Sequence, residues 1–437
     1  MNRELRVFVD LNREAIRVGT LWTRSARGRG ATASFQYDNA WLAHPAAFPL
    51  GPSLPLVRGS AHTNRQLFSA FSDAAPDRWG EVLLQRAEDK RLRKLGPTGR
   101  KLQAADFLAG VNDETRMGAL RFKQPGEDSF LSRSENPVPA LVHLRKLLSA
   151  ASRVLRDKES EADLQLLLAP GSSLGGQRPK ASVRNNDGRL LIAKFPKNDD
   201  TWSVPRWEAA TLALAESAQI SVPRWSLQLP TRSKPTVLTE RFDRFGVDVR
   251  IPFMSALTAL DALDNDGGSY LDIAEVLRRD GASPSEDLRE LWRRMVFNIL
   301  VSNADDHLRN HGFLRVASGW RLSPAYDLNP SPEKAGLHAL AFNDHERTAS
   351  LDVVLSVAPQ FGLTTADARS IASTVAFGVA KWKDAAKRSG ISKPEIDRMA
   401  LAFEHEHLAT ALKLGTVSAP STPKKKSKKS KWASERA

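Results

Sequence analysis

A dense polar run, Asn303-Ala304-Asp305-Asp306-His307-Leu308-Arg309-Asn310-His311, follows directly on the apolar segment Leu291–Val301. The apolar segment reads as a buried helix. The chain must therefore carry two Asn, two Asp and two His to the end of a buried element. Short strand signals at Phe313–Val316 and Gly319–Leu322 follow, so the run sits on a connection between a helix and a hairpin. Three readings are open for it: a catalytic loop, a metal site made by His307 and His311 at i, i+4, and a plain polar turn. Gly312 ends any helix there, and no glutamate stands between the histidines as in an HExxH site.

Composition bounds the rest. The chain has 437 residues, which suggests about three domains. It is long enough to bury ample core without a metal or disulfide staple. With 41% hydrophobic and 26% charged residues it is neither a disordered chain nor a membrane bundle. No stretch approaches the roughly 20 apolar residues of a spanning helix. The start, Met1-Asn2-Arg3-Glu4-Leu5-Arg6, is not read as a secretory signal. Cysteine is absent, which removes thiolate chemistry and fits a cytoplasmic home. The formal charge is +14, of which the tail 418–437 carries +6. That tail, with its basic run 424–431, is expected to be disordered. It reads either as a solubilising end or as a salt-sensitive contact to nucleic acid.

Strands are expected at Leu5–Val9, Ile16–Trp22 and Phe35–Leu42, followed by a proline-broken stretch. Helices are expected at 65–71, 77–86, 102–109, 141–148 and 162–168, with a strand at Met117–Phe122. Two apolar runs, Ala181–Arg184 and Leu190–Phe195, flank Asn186-Asp187-Gly188 and predict a hairpin. A helix at Trp207–Ser217 and a strand at Val237–Phe242 come next. Helices near 349–358, 364–387 and 393–413 close the chain, and no internal repeat is present.

Four pieces carry chemistry. Gly171-Ser172-Ser173-Leu174-Gly175-Gly176-Gln177-Arg178-Pro179-Lys180 is a glycine-rich loop before a strand, able to bring backbone N–H groups close to a phosphate. It matches neither a Walker A loop nor a GxGxxG fingerprint. Lys194 lies in the apolar strand of the hairpin, either reaching phosphates or sitting on the solvent face of an edge strand. Glu208, on the next helix, is a candidate ion-pair partner. Asp305 and Asn310 stand five apart, the spacing of the base and a magnesium ligand in a kinase catalytic loop. Arg309 can add positive charge there. Asp327, in Leu322-Ser323-Pro324-Ala325-Tyr326-Asp327, comes 22 residues after Asp305, where a kinase keeps its second magnesium carboxylate. In order, these are the parts of phosphoryl transfer.

The sequence resembles the HipA-type serine/threonine kinases, toxins of bacterial HipBA toxin–antitoxin pairs. The resemblance runs over most of the chain. It rests on Val18–Leu21, Phe35–Tyr37, Pro49–Leu56 and Asp73–Gly80 in the first part. In the core it rests on Ser172–Lys180, Ile192–Pro196, Thr239–Arg244, Asn303–Asn310 and Ser323–Asp327.

The resemblance implies an α+β, protein-kinase-like two-lobed fold. A small N-terminal subdomain would span 1–123, a nucleotide-binding lobe 140–245 and a mainly helical lobe 246–417. It implies ATP and Mg2+ as cofactors. Asp305 would be the base, Asn310 and Asp327 the magnesium ligands, and Lys194 a phosphate contact. Gly175, Gly176, Gln177, Arg178, Pro179 and Lys180 would lie against the nucleotide with His307. Glu240, Arg241 and Phe242 would form the hinge, with Glu240 and Phe242 reading adenine through the backbone. Ser173, or Ser172 beside it, would be autophosphorylated. The implied partners are a HipB-like helix-turn-helix antitoxin, operator DNA through that antitoxin, and a protein substrate, for which the family offers aminoacyl-tRNA synthetases. A catalytically weak co-repressor module and a kinase of a small-molecule acceptor are the rival functions. Arg309 stands where many members have Lys, Gln-Arg-Pro-Lys is a variant loop, and the basic tail has no family counterpart.

Overall fold

The computed structural model describes residues 3–26, 30–95, 101–132, 138–168, 176–231, 233–264, 266–333 and 336–414. The chain forms two compact units, Met1–Pro205 with Pro223–Leu263, and Arg206–Val222 with Asp264–Ala437. No helix of the described residues is long and apolar enough to cross a membrane.

The first unit opens with an antiparallel sheet of β1 (Arg3–Leu11), β2 (Glu14–Ala26), β3 (Gly30–Tyr37), β4 (Ser60–Thr63) and β5 (Leu120–Lys123), ordered β4-β3-β2-β1-β5. The alternation of Leu5, Val7 and Val9 buries one face. At Gly19 the strands run so close that a Cβ would collide with the Gln36 carbonyl oxygen. The third strand stops at Tyr37, earlier than its apolar pattern suggests. Asn39–Leu42 instead makes a single helical turn, α1, which buries Trp41. The Tyr37 hydroxyl donates to Leu54 O at 2.7 Å and accepts from Leu50 N at 3.0 Å, pinning the proline-rich stretch. After it come α2 (Ser69–Ser72), α3 (Arg78–Leu95) and α4 (Ala104–Gly110).

The second sheet of this unit holds β6 (Lys180–Arg184), β7 (Leu190–Lys194), β8 (Trp225–Thr231) and β9 (Lys234–Glu240), ordered β6-β7-β9-β8. The expected hairpin is present, and Gly188 supplies its positive φ of 78°. Helices α5 (Leu144–Val154) and α6 (Glu161–Leu168) bury Leu147, Leu148 and Leu167 in one core with Trp79, Val183 and Phe195. Three short strands, β10 (Arg244–Phe245), β11 (Val249–Arg250) and β12 (Phe253–Ser255), and the turn α8 (Ala256–Ala259) complete the unit.

Behind β9 lies a buried charge cluster. Arg241 and Arg244 both reach Asp243, at 2.5 and 2.6 Å, and Gly118 N donates to the same carboxylate at 2.7 Å. Burial alone would raise the Asp243 carboxyl, but the two guanidinium groups lower it to about 2. Arg241 also donates to Thr115 O at 2.8 Å, so the cluster ties the end of β9 to residues 113–118.

The second unit takes most of α7 (Val204–Ser217), then α9 (Tyr270–Asp280), α10 (Pro284–Leu300), β13 (Gly312–Val316) and β14 (Gly319–Leu322). Helices α11 (Leu351–Ser356), α12 (Thr365–Val379), α13 (Trp382–Arg388), α14 (Lys393–Met399) and α15 (Glu406–Lys413) follow. The run 364–387 is two helices that break at Ala380-Lys381. The bend turns Trp382 onto Phe403, stacked at 4.8 Å, with Trp207 on the same pile at 5.9 Å from Phe403. Gly378 lets α12 touch the end of α7, where a Cβ would come within 2.7 Å of Ala218 N. Pro284 at the first turn and Glu286 and Asp287 beside it start α10, and its second half is almost wholly buried.

Candidate active site

In the first unit the candidate phosphate-binding side chains sit on β6, β7 and the loop before them. Lys194 closes β7, which is flanked by β6 and β9, so it is on a central strand and not at an edge. It is 8% exposed. Lys180, opposite it in register, is buried with its ammonium 2.6 Å from Asp77 and 3.2 Å from Gly176 O. Arg178 makes a two-pronged pair with Asp200 at 2.8 Å per prong. Pro179 O accepts from Phe195 N at 2.9 Å, which holds the end of the loop against β7. Gly176 has φ of 90°, a conformation that favours glycine. Gly175, Ser172, Ser173 and the tail 418–437 lie outside the described residues.

At the end of β9 the amides of Glu240 and Arg241 are spent inside the chain, on Arg224 O at 2.7 Å and Leu190 O at 3.0 Å. The Glu240 carboxylate pairs with Arg189 at 2.7 Å. The Arg241 side chain is committed to Asp243, and the Phe242 ring packs on Phe253 at 6.1 Å. Arg178, Lys180 and Arg241 therefore shape the strand ends with side chains already engaged.

In the second unit α10 ends at Leu300, and Ser302 adopts a left-handed φ of 51° that turns the chain into the polar run. The two consecutive aspartates then part. Asp305 is exposed to solvent, whereas Asp306 is 3% exposed. Asp306 Oδ2 accepts from Tyr270 at 2.5 Å, Asn298 Nδ2 at 2.9 Å and His311 Nε2 at 2.8 Å. Burial would raise this carboxyl. The attraction of His311 and the hydrogen bonds from His311 and Tyr270 outweigh burial and hold it below the ordinary carboxylate range. Burial and the same carboxylate push the Tyr270 hydroxyl well above its usual value, so it stays a donor.

Asn310 donates through Nδ2 to Asp305 O at 3.2 Å, and its Oδ1 is buried with no hydrogen-bond partner. A buried bare carbonyl oxygen is the kind of atom a hard cation completes. Tyr326 donates its hydroxyl to Arg309 O at 2.6 Å and so ties the Asp327 loop to the polar run after α10. Asp327 has a left-handed φ of 59°, and its Oδ1 accepts from Asn329 Nδ2 at 3.1 Å. A non-glycine residue held there is strained, and such strain clusters at functional sites. Oxygen donors from a neutral amide and a carboxylate fit Mg2+. Arg309 itself pairs with Asp264. His307 Nδ1 is buried without a partner. His311 is taken up by Asp306, and among the described residues no group of three His, Cys, Asp or Glu could hold a metal ion.

Two family models match this chain. The HipA N-terminal domain covers residues 9–123 and the HipA-like C-terminal domain covers residues 172–383. The chain belongs to the HipA family. Its relatives include Y4mE of Sinorhizobium fredii, provisionally named a kinase, at 24% identity over 87% of this chain and 86% of that protein. Toxin YjjJ of Escherichia coli is 28% identical over 38% of this chain and 40% of its own length. In fold the chain resembles HipA from the Shewanella oneidensis complex of HipA, HipB and operator DNA. The TM-score is 0.62 at 17% identity, covering 94% of this chain and 96% of that one. The fold is thus α+β and protein-kinase-like.

The family motifs fall on both units. Glu208, buried on α7, belongs to the second unit, while Lys194 belongs to the first. Asp306, Tyr270, Asn298 and Asn329 were not singled out by sequence. Asp306 was hidden by its neighbour Asp305, and Tyr270 is remote in sequence. Asn329 stands two residues after Asp327 in a stretch that reads as a turn.

Proposed function

We propose that this HipA-family chain is a Mg-ATP-dependent kinase that phosphorylates a serine or threonine of a cellular protein. The observation that carries the reading is the division between Asp305 and Asp306. One carboxylate of the pair meets solvent, where an acceptor hydroxyl can approach. The other is buried and locked into the fold by three donors. That is the separation a general base and its supporting frame require.

In this reading Asp305 takes the proton from the acceptor hydroxyl as its oxygen attacks the γ-phosphorus. The bond to the bridging oxygen breaks and ADP departs with the electron pair. Lys194 contacts the phosphates, and the backbone of Glu240 and Phe242 reads adenine. Asn310 and Asp327 would hold Mg2+, which would neutralise charge on the phosphates. His307 lies beside the nucleotide, and a loop serine, Ser173 or Ser172, accepts phosphate in the autophosphorylated state. A HipB-like antitoxin is the proposed partner, with operator DNA reached through it. An aminoacyl-tRNA synthetase is the proposed class of substrate.

The test is transfer of labelled γ-phosphate from ATP to protein in a lysate, compared with Asp305→Asn. A discrete labelled protein band that disappears with the variant supports the reading. An undiminished band from Asp305→Asn refutes it, and label only in small molecules moves the acceptor to another class.

A further inference from the structure

The second unit contains an unbroken line of amide side chains. Asn298 Nδ2 donates to Asp306 at 2.9 Å, and Asn303 Nδ2 donates to Asn298 Oδ1 at 3.1 Å. Asn303 Oδ1 then accepts from the backbone N–H of Asn329 at 3.2 Å, and Asn329 Nδ2 donates to Asp327 Oδ1 at 3.1 Å. The direction of each amide is set by chemistry. A carboxylate only accepts, so the nitrogen of Asn298 must face Asp306 and that of Asn329 must face Asp327. The line thus runs from the buried frame under the catalytic loop to the strained carboxylate two residues before its last member.

Asn329 is the member with work left over. Its backbone is fixed by Asn303 and its amide nitrogen by Asp327, while its Oδ1 is buried with no partner. A buried carbonyl oxygen left bare costs free energy, and such an atom is retained where something outside the protein completes it. It lies on the same side chain that holds Asp327. Hydrated Mg2+ usually keeps several of its waters, and these are donors.

We propose that Asn329 is a positioning residue of the metal site, which holds Asp327 in its left-handed conformation and aims its carboxylate at the cation. The inference rests on the phosphoryl-transfer reading above. Asn303 and Asn298 are the frame from which Asn329 is held. Without the Asn329 amide, the Asp327 carboxylate loses a hydrogen bond that favours its metal-binding arrangement, and its aim at the cation loosens. The result is weaker cation binding with nucleotide contacts intact.

The experiment uses the full chain with Mn2+ as the probe and a non-hydrolysable ATP analogue, reading free Mn2+ by electron paramagnetic resonance. Removing a residue that orients a metal ligand typically costs about 10- to 100-fold in metal affinity. Asn329→Ala is therefore expected to weaken Mn2+ by about tenfold or more, and to leave metal-free binding of the analogue unchanged. Excess Mg2+ should restore its transfer rate, which a merely unfolded protein would not show. Asn329→Leu, similar in size and lacking the amide, is the second variant should the alanine protein not melt cooperatively. Wild-type Mn2+ affinity in a folded Asn329 variant overturns the inference and leaves the kinase reading standing. A wild-type chain that takes up no Mn2+ with the analogue overturns both.

Discussion

Tyr270, at the first turn of α9, donates its hydroxyl hydrogen to Asp306 at 2.5 Å, joining that helix to the loop after α10. The bond is to an ionised acceptor in a buried setting, the stronger class of hydrogen bond. Tyr270→Phe keeps the ring stack on Phe342, at 5.9 Å, and removes the hydroxyl that donates to Asp306 and accepts from Asn298 Nδ2 at 3.0 Å. It should lower stability by about 1.5–3 kcal/mol, measured by denaturant unfolding. A change below about 0.5 kcal/mol, the ordinary surface value, would show that the hydroxyl is not part of the frame.

The adjacent aspartates should separate cleanly on substitution. Asp305→Asn, at an exposed position, should shift stability by no more than about 0.5 kcal/mol while abolishing phosphate transfer. Asp306→Ala removes a buried acceptor and strands three donors, so a loss of about 3–5 kcal/mol is expected. Thermal melts and transfer assays on the two proteins, side by side, check the pair. A stable Asp306→Ala protein would contradict the assigned division.

Low pH should loosen the second unit, and the sign follows from two groups. Asp306 is depressed below its unfolded value near 4, so its contribution is present above that pH and is lost as pH falls through the folded value. His338 is lowered by burial to about 4, from about 6.5 in the unfolded chain. The unfolded state therefore binds the His338 proton first, and stability falls as pH drops from about 6.5 toward 4, by roughly 3 kcal/mol in total. His338→Phe, which keeps a ring against Phe342, should flatten that slope. Stability measured at pH 7 and pH 4.5 for both proteins tests it, and an unchanged slope would remove His338 from the account.

Much of this candidate site is legible in residue order because its residues are close in sequence. Asp305 and Asn310 share one loop, and the hairpin around Gly188 announces itself by turn residues between apolar runs. Lys194 was ambiguous in sequence because a strand of five residues does not reveal its neighbours. Only the pairing of β7 with both β6 and β9 makes it central. The roles of Arg241, Arg244 and Asp243 were hidden for a related reason. A charged run usually reads as a solvated face, and here pairing across 125 residues to Gly118 takes it inside. The break at Ala380-Lys381 leaves no mark in the sequence, since alanine and lysine are both good helix formers, and tertiary stacking of Trp382 decides it.

That buried cluster makes its own prediction for the first unit. Asp243→Ala would leave Arg241 and Arg244 buried without their carboxylate, a loss of about 3–5 kcal/mol. Arg241→Met together with Asp243→Leu replaces the pair by apolar volume and should recover part of that loss, since well-packed substitutes for buried ion pairs are often tolerated. Hydrogen exchange of the β9 amides reports the outcome. Equal protection in Asp243→Ala and the wild type would show that the end of β9 is held by other contacts.

Lys194 gives the sharpest test of the proposed nucleotide-binding half. It is buried on a central strand, so its methylene stem packs whether or not the ammonium meets a phosphate. Lys194→Met keeps that stem and deletes the charge. The folded state should survive, because the methionine side chain fills the volume of the lysine stem. Nucleotide affinity and phosphate transfer should fall together, transfer by about tenfold for each 1.4 kcal/mol of lost phosphate contact. Equilibrium binding of a fluorescent ATP analogue and the labelled-phosphate assay give the two readouts. A Lys194→Met protein that melts normally and transfers phosphate at the wild-type rate would place the phosphate contact elsewhere in the first unit.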